Sequence, residues 1–239
     1  MNTNTYYIIS AIAIAFIVYL LRLNQMMKKR KAKQIDDFKQ RFSGKPLNPN
    51  QKKALAYGAI LAYTRSEDIL SLIPNSRLDK YEYGLKEQWG ITNTKEALEV
   101  LNGLVRLERS QEYDQLLLHC KEHQGLRTVF VEIAKGLELP VENVRKIAST
   151  YAWDICRAVN LAKWCFWLGY LTEEQTNDYL NKCVEVVWSK GKSWQEYTCS
   201  FLIGRAIQGF DLDELLVECQ QLLSGQLKKC SVYIDLPFK

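Results

Sequence analysis

The chain has 239 residues, a net charge of +5, 47% apolar residues, six Trp and thirteen Tyr, which is ample for a packed core and too apolar for a disordered chain. The charge is unevenly spread: residues 22–45 carry nine basic side chains against Asp36 and Asp37, while the remainder holds 23 basic and 25 acidic residues. A folded part so close to neutral lacks the broad cationic field that wraps nucleic acid, which excludes nucleic acid as a partner.

In chain order, residues 1–5 form a short N-terminus and residues 6–23 (YYIISAIAIAFIVYLLRL) an apolar segment with Arg22 as its one charge. At 1.5 Å per residue it is just long enough to cross a hydrocarbon core of ~30 Å. Tyr6, Tyr7 and Tyr19 lie near its ends, where amphipathic rings favour the interface. Arg22, Lys28, Lys29, Arg30, Lys31 and Lys33 follow. Basic residues stay on the cytoplasmic side, so the reading is a single-pass helix in a bacterial inner membrane, with the bulk of the chain in the cytoplasm. A cleaved signal peptide would place its positive charge before the apolar stretch. Seven scattered cysteines without a CxxC pair fit reduced thiols in a cytosolic domain.

Residues 24–45 read as a basic helical stalk and linker broken at Ser43-Gly44-Lys45-Pro46, and residues 46–239 as the cytosolic domain. Asn48-Pro49 opens a predicted helix through about Thr64. Asn93 with Glu96, Thr172 with Gln175, Ser193 with Glu196 and Asp211 with Glu214 have the capping spacing. Gly90, Gly125, Gly136, Gly169, Gly191, Gly209 and Gly225 fall where helices should stop. Only residues 230–236 (CSVYIDL) alternate like a strand, and they could equally be a docked tail. The expected fold is all-α, a compact bundle of about eight or nine helices behind a single N-terminal transmembrane helix.

Tyr151 to Leu171 (YAWDICRAVNLAKWCFWLGYL) is the most apolar stretch of the domain. Asp154, Arg157 and Lys163 would each cost ~2.5–3.5 kcal/mol near a bilayer centre, so it reads as a core helix rather than a second span. Trp153, Arg157, Asn160 and Trp164 share a face with Asp154 beside them, and Arg205 lies on one stripe with Trp194, Tyr197 and Phe201. Buried charges need partners, which predicts that these groups meet, most simply as an ion pair of Asp154 with Arg205 or Arg157. The set Asp154, Arg157, Asn160 and Arg205 has two readings. One is a polar network pinning two helices; the other is a pocket for an anionic ligand or a catalytic site, flanked by Trp153, Trp164, Trp194 and Tyr197. The aromatic neighbours of Trp194 read as core.

The strings AWDICRAVNLAKWCFWLGYLTEEQ and SWQEYTCSFLIGR resemble the two signature segments of the bacterial domain of unknown function 1266 family. The matching positions are Trp153, Asp154, Arg157, Ala158, Asn160, then Gly169, Tyr170 and Leu171, then Ser193, Trp194, Glu196, Gly204 and Arg205. Cys165-Phe166-Trp167 departs from the smaller residues of the family pattern. The resemblance covers about Ala152 to Gln208; it implies a helical fold and supplies no activity.

His119 and His123 are the two histidines, four apart on a predicted helix over 111–123, with Cys120 and Glu122 nearby. A second ligand pair is missing, so neither a metal site nor a cofactor is implied. There is no GxGxxG, Walker-type loop or GxSxG. The leading functional expectation is therefore a membrane-tethered cytosolic interaction domain with a protein partner, in an accessory or immunity-type role. The alternative is an enzyme or small anionic-ligand binder using the Asp/Arg cluster, which requires that cluster to reach a concave, solvent-accessible pocket.

Overall fold

The computed structural model describes the backbone of residues 3–75, 77–120, 123–226 and 231–239, and within them the side chains from residue 12 onward except 120. Every regular element among the described residues is a helix, in the order α1 (Thr3–Arg41), α2 (Pro49–Tyr57), α3 (Ala59–Thr64), α4 (Asp79–Trp89), α5 (Thr94–Val105), α6 (Glu108–Cys120), α7 (Gln124–Gly136), α8 (Val141–Arg145), α9 (Tyr151–Leu168), α10 (Glu173–Lys190), α11 (Trp194–Ile207), α12 (Asp213–Ser224) and α13 (Val232–Asp235). Behind α1, nine of these have nine residues or more; α3, α8 and α13 are short.

Helix starts follow the side chains that satisfy their orphan N–H groups. Asn48 and Thr172 form capping boxes with Gln51 and Gln175, and Asn93 and Ser193 accept from the backbone N–H of Glu96 and Glu196. The predicted start at Asp211 moves: α12 begins at Asp213, and Asp211 Oδ1 accepts from its N–H at 2.7 Å. Gly90, Gly169 and Gly225 close α4, α9 and α12 in the left-handed region. Gly125 instead lies inside the first turn of α7.

The helix expected from Pro49 to Thr64 is two, interrupted at Gly58. A Cβ at Gly58 would sit 2.6 Å from Val159 Cγ1 and 3.0 Å from Asn160 Nδ2, so this backbone packs directly against α9. Asn160 Nδ2 donates to Gly58 O at 2.9 Å.

The core is organised around α9, on which α2, α3, α5, α6, α10 and α11 pack. Every residue from Tyr151 to Trp167 is buried, so the helix is enclosed on all sides, as its composition required. Its four buried polar side chains, Asp154, Arg157, Asn160 and Lys163, recur every third residue. At ~100° per residue that spacing spirals, turning about 180° over nine positions, so each group addresses a different neighbour. Lys163 Nζ lies 2.5 Å from Glu67 Oε2, and Glu67 Oε1 accepts from Tyr81 Oη and Trp164 Nε1, both at 2.9 Å.

The C-terminal segment is a docked tail with one helical turn, not a strand; Cys230 lies outside the described residues. Tyr233 stacks on Trp194 at 4.1 Å between ring centroids, Phe238 packs edge-on against Trp194, and Trp194 Nε1 donates to Leu236 O. Tyr197, Tyr57 and Phe238 complete this buried aromatic cluster.

At the other end, α1 runs unbroken into the stalk, and its last turns belong to the domain. Phe38 is fully buried against Phe166. Arg41 donates from Nη1 to Phe166 O and from Nη2 to Trp167 O, both at 3.0 Å. Ser43 then bonds the Glu173 carboxylate through both N–H and Oγ. Glu173 thus anchors the linker and is not a freely solvated side chain. Among the described residues no helix is long and apolar enough to cross a membrane. The side chains of residues 6–11, a third of the apolar 6–23 segment, lie outside the described residues.

Candidate functional site

Asp154 and Arg157, one turn apart on α9, form an ion pair with side-chain exposures of 0% and 10%. Asp154 Oδ2 accepts from the Ser110 N–H at 2.7 Å, and Arg157 Nε donates to Trp153 O at 3.0 Å. Burial raises the Asp154 carboxyl above its ordinary value, with Arg157 and Ser110 opposing the shift. Burial likewise lowers the Arg157 guanidinium, offset in part by Asp154.

Arg157 is where the buried network meets solvent. It lies over Trp153 at 4.4 Å and over Trp89 at 5.4 Å, measured from Cζ to ring centroid, and forms part of the wall of a cleft of ≈ 640 Å³. That volume is in the range of small-ligand sites, ~300–1,000 Å³. Three more arginines line the cleft: Arg65, Arg109 and Arg205. Its aromatic lining is Trp89, Trp153, Trp164 and Phe210, with the amides of Gln88 and Gln208 beside them. Among the described residues no Asp or Glu lines it.

Local structure aims these arginines. Arg65 follows α3, where Ser66 adopts a left-handed φ of 55°. Ser66 N–H bonds Tyr63 O and Glu67 N–H bonds Ala62 O, the paired pattern that ends a helix, here with Ser in the place usually held by Gly. The reversal sends Glu67 inward to Lys163 and leaves Arg65 exposed, its guanidinium over Trp164 at 4.7 Å. Arg205, in the last turn of α11, donates from Nε to Asp211 O at 2.9 Å and lies over Phe210 at 5.2 Å. Neither Arg65 nor Arg205 has a carboxylate within ion-pair distance among the described residues, whereas Arg109 pairs with Glu112. Arg205 is held below the usual guanidinium range, first by burial and then by the like charge of Arg65.

The predicted set is therefore split. Asp154 pairs with Arg157, and Arg205 does not reach it. Arg157, Arg205, Trp153 and Trp164 line the cleft, with Asp154 beneath them. Asn160 faces the break between α2 and α3, and Trp194 and Tyr197 belong to the aromatic cluster of the tail. Arg65, Arg109, Gln88, Trp89, Gln208 and Phe210 were not singled out from the sequence. They come from four separate segments, and no spacing rule connects them. His119 and His123 are not on one helix: α6 ends at Cys120, and His123 caps α7, its Nδ1 accepting from Gly125 N–H at 3.3 Å. Cys120 and Glu122 lie outside the residues whose side chains are described. Among the described residues no three His, Cys, Asp or Glu side chains are placed to hold a metal.

Residues 84–221 match the family model described as protein of unknown function (DUF1266). The chain belongs to the DUF1266 family. The DUF1266 match runs from Gly84 in α4 to Gln221 in α12, so it supplies α9, α11 and every cleft arginine but one. Arg65, at the end of α3, lies outside it, as do Glu67, α1 and the C-terminal tail. No curated protein and no solved structure matches the chain.

Proposed function

We propose that this DUF1266 protein is a membrane-tethered helical domain that binds a small anionic ligand in the cleft between α3, α4, α9 and α11. The observation that carries this reading is a solvent-reachable cleft with four guanidinium groups and, among the described residues, no carboxylate in its lining. Of the two readings of the sequence, the cleft favours the ligand binder over the protein-interaction domain. Arginines stacked on aromatic faces hold planar forks ready for oxyanions, and little rotamer freedom is left to lose on binding. Arg is a poor proton donor or acceptor and Asp154 is sealed beneath Arg157, so the geometry favours binding over acid–base chemistry.

The tether rests on α1. Ile12, Ile14, Phe16 and Leu21 are all 58–64% exposed on the part of α1 that the domain leaves uncovered, a large apolar surface that water disfavours. The basic run that follows supports a domain on the cytoplasmic side, a topology that external proteolysis of intact cells tests directly.

The binding reading is tested by calorimetric titration of the full chain in lipid nanodiscs with inorganic pyrophosphate at low ionic strength. Saturable binding that falls at least tenfold in Arg65→Gln/Arg205→Gln is expected. Absence of binding, or affinity unchanged in that variant, overturns it.

A further inference from the structure

The same cleft constrains what the anion is attached to. Two of its four arginines are already compensated, Arg157 by Asp154 and Arg109 by Glu112. Arg65 and Arg205 have no carboxylate within ion-pair distance among the described residues, and the charge of Arg65 adds to burial in lowering Arg205, with Asp211 and Glu218 opposing. A ligand that settles this site brings at least two negative charges to a point between the end of α3 and the end of α11. Phosphate esters and diphosphates supply that charge in a form that Arg forks grip bidentately.

The rest of the lining does not suit a bare anion. Phe210 is 49% exposed at the edge of the cleft, with Arg205 across one ring face. Trp89 is half-buried and lines this cleft and two further hollows. An inorganic anion would leave both rings wet, whereas a planar heterocycle would cover them. Gln88 and Gln208 are both exposed beside these rings, Gln208 with its Oε1 already accepting from Trp153 Nε1, and an amide can donate and accept along the edge of a heterocycle. The polymeric form of such a ligand is disfavoured, because the chain after Lys45 is net acidic and offers no cationic track beyond the cleft.

We propose that the ligand is a free nucleotide, its phosphates between Arg65 and Arg205 and its base against Phe210 and Trp89. This rests on the anion-binding reading and specifies its substrate class. The test titrates the full chain in nanodiscs with ADP, GDP, CDP and UDP, and separately with pyrophosphate, ribose 5-phosphate and the four nucleosides. At least one nucleoside diphosphate is expected to bind ten times more tightly than pyrophosphate or ribose 5-phosphate and to quench Trp fluorescence. Phe210→Ala removes both the base's platform and the ring under Arg205, so it should weaken that nucleotide at least tenfold more than it weakens pyrophosphate, and an equal loss of both overturns the base placement. Arg65→Gln, at an exposed position, should weaken both. Pyrophosphate binding as tightly as every nucleotide overturns the nucleotide assignment and leaves the anion site standing. Nucleosides binding as well as their diphosphates, or no probe binding at all, overturns both.

Discussion

The contact between α11 and α9 is set by one missing side chain, and adding it back measures how tightly the two helices that carry Arg157 and Arg205 are joined. A Cβ at Gly204 would fall 2.5 Å from Trp153 Cβ, 2.9 Å from Trp153 Cγ and 3.3 Å from Thr150 Cβ. These atoms are the roots of their side chains, so no rotamer change clears them. Restoring ordinary contact near 3.4 Å requires α11 to retreat by roughly 0.9 Å. Overpacking of this kind costs ~1–3 kcal/mol, and a rigid obstacle puts Gly204→Ala at the upper end. Alanine returns about 1 kcal/mol in helix propensity, leaving a net loss of ~2 kcal/mol. Gly84, within α4, is the control, because a Cβ there meets nothing within 4 Å. Gly84→Ala should therefore gain ~0.5–1 kcal/mol from propensity alone. Urea unfolding of the full chain, followed by far-UV circular dichroism in one detergent, reads both. If Gly204→Ala matches or exceeds the parent in stability, the close approach of α11 to Trp153 is wrong.

Three further outcomes are expected. Lys163→Met leaves the buried Glu67 carboxylate without its cation and should cost about 3–5 kcal/mol. Adding Glu67→Gln, which keeps an acceptor for Tyr81 and Trp164, should recover about 2 kcal/mol in the same unfolding assay, and a double variant as unstable as the single one would contradict the pairing. Burial raises the thiols of Cys156, Cys165, Cys183 and Cys199 to about 12 from an ordinary 9.0. Between those values the unfolded chain sheds protons that the folded one keeps, so stability falls as pH rises, by up to about 1.4 kcal/mol per pH unit for each thiol. Lys53 and Lys163, lowered by burial, pull the other way, but they are two groups against these four thiols and Cys219, which burial also raises; a stability flat from pH 9 to 10.5 refutes the assignment, as does iodoacetamide labelling of these cysteines in the folded chain. Phe238→Ala removes a buried ring from the tail cluster and should cost ~3 kcal/mol and red-shift Trp emission, whereas an unchanged spectrum would mean that the tail is not seated on Trp194.

The parts of the fold that were legible in the sequence are those decided within a few residues. The caps at Asn48, Asn93, Thr172 and Ser193 are local hydrogen-bond solutions, and the burial of α9 follows from a composition apolar on every face. The i, i+3 pairing of Asp154 with Arg157 is likewise a property of one helix. What escaped depends on segments far apart in the chain. Gly58 reads as an ordinary helix interior until Val159 and Asn160 are seen against it. Arg205 shares a stripe with Trp194 and Phe201, yet sits at the end of its helix, where Asp211 O and Phe210 claim it before Asp154 can. Arg65 had no sequence signal, because its direction is set by the backbone of Ser66 and by Glu67 turning inward.

The two hydrogen bonds of Arg41 reach beyond stability. They engage two of the last carbonyls of α9, Trp167 O and Phe166 O, the latter shared with the Gly169 N–H, so the outermost helix is bolted to the most enclosed one. From Arg22 to Arg41 the rod is ~30 Å long at 1.5 Å per residue. Whatever grips its far half would thus set the standoff and azimuth of the cleft, making α1 a rigid boom rather than a leash; a torque applied at one end would be passed to the helix that floors the cleft.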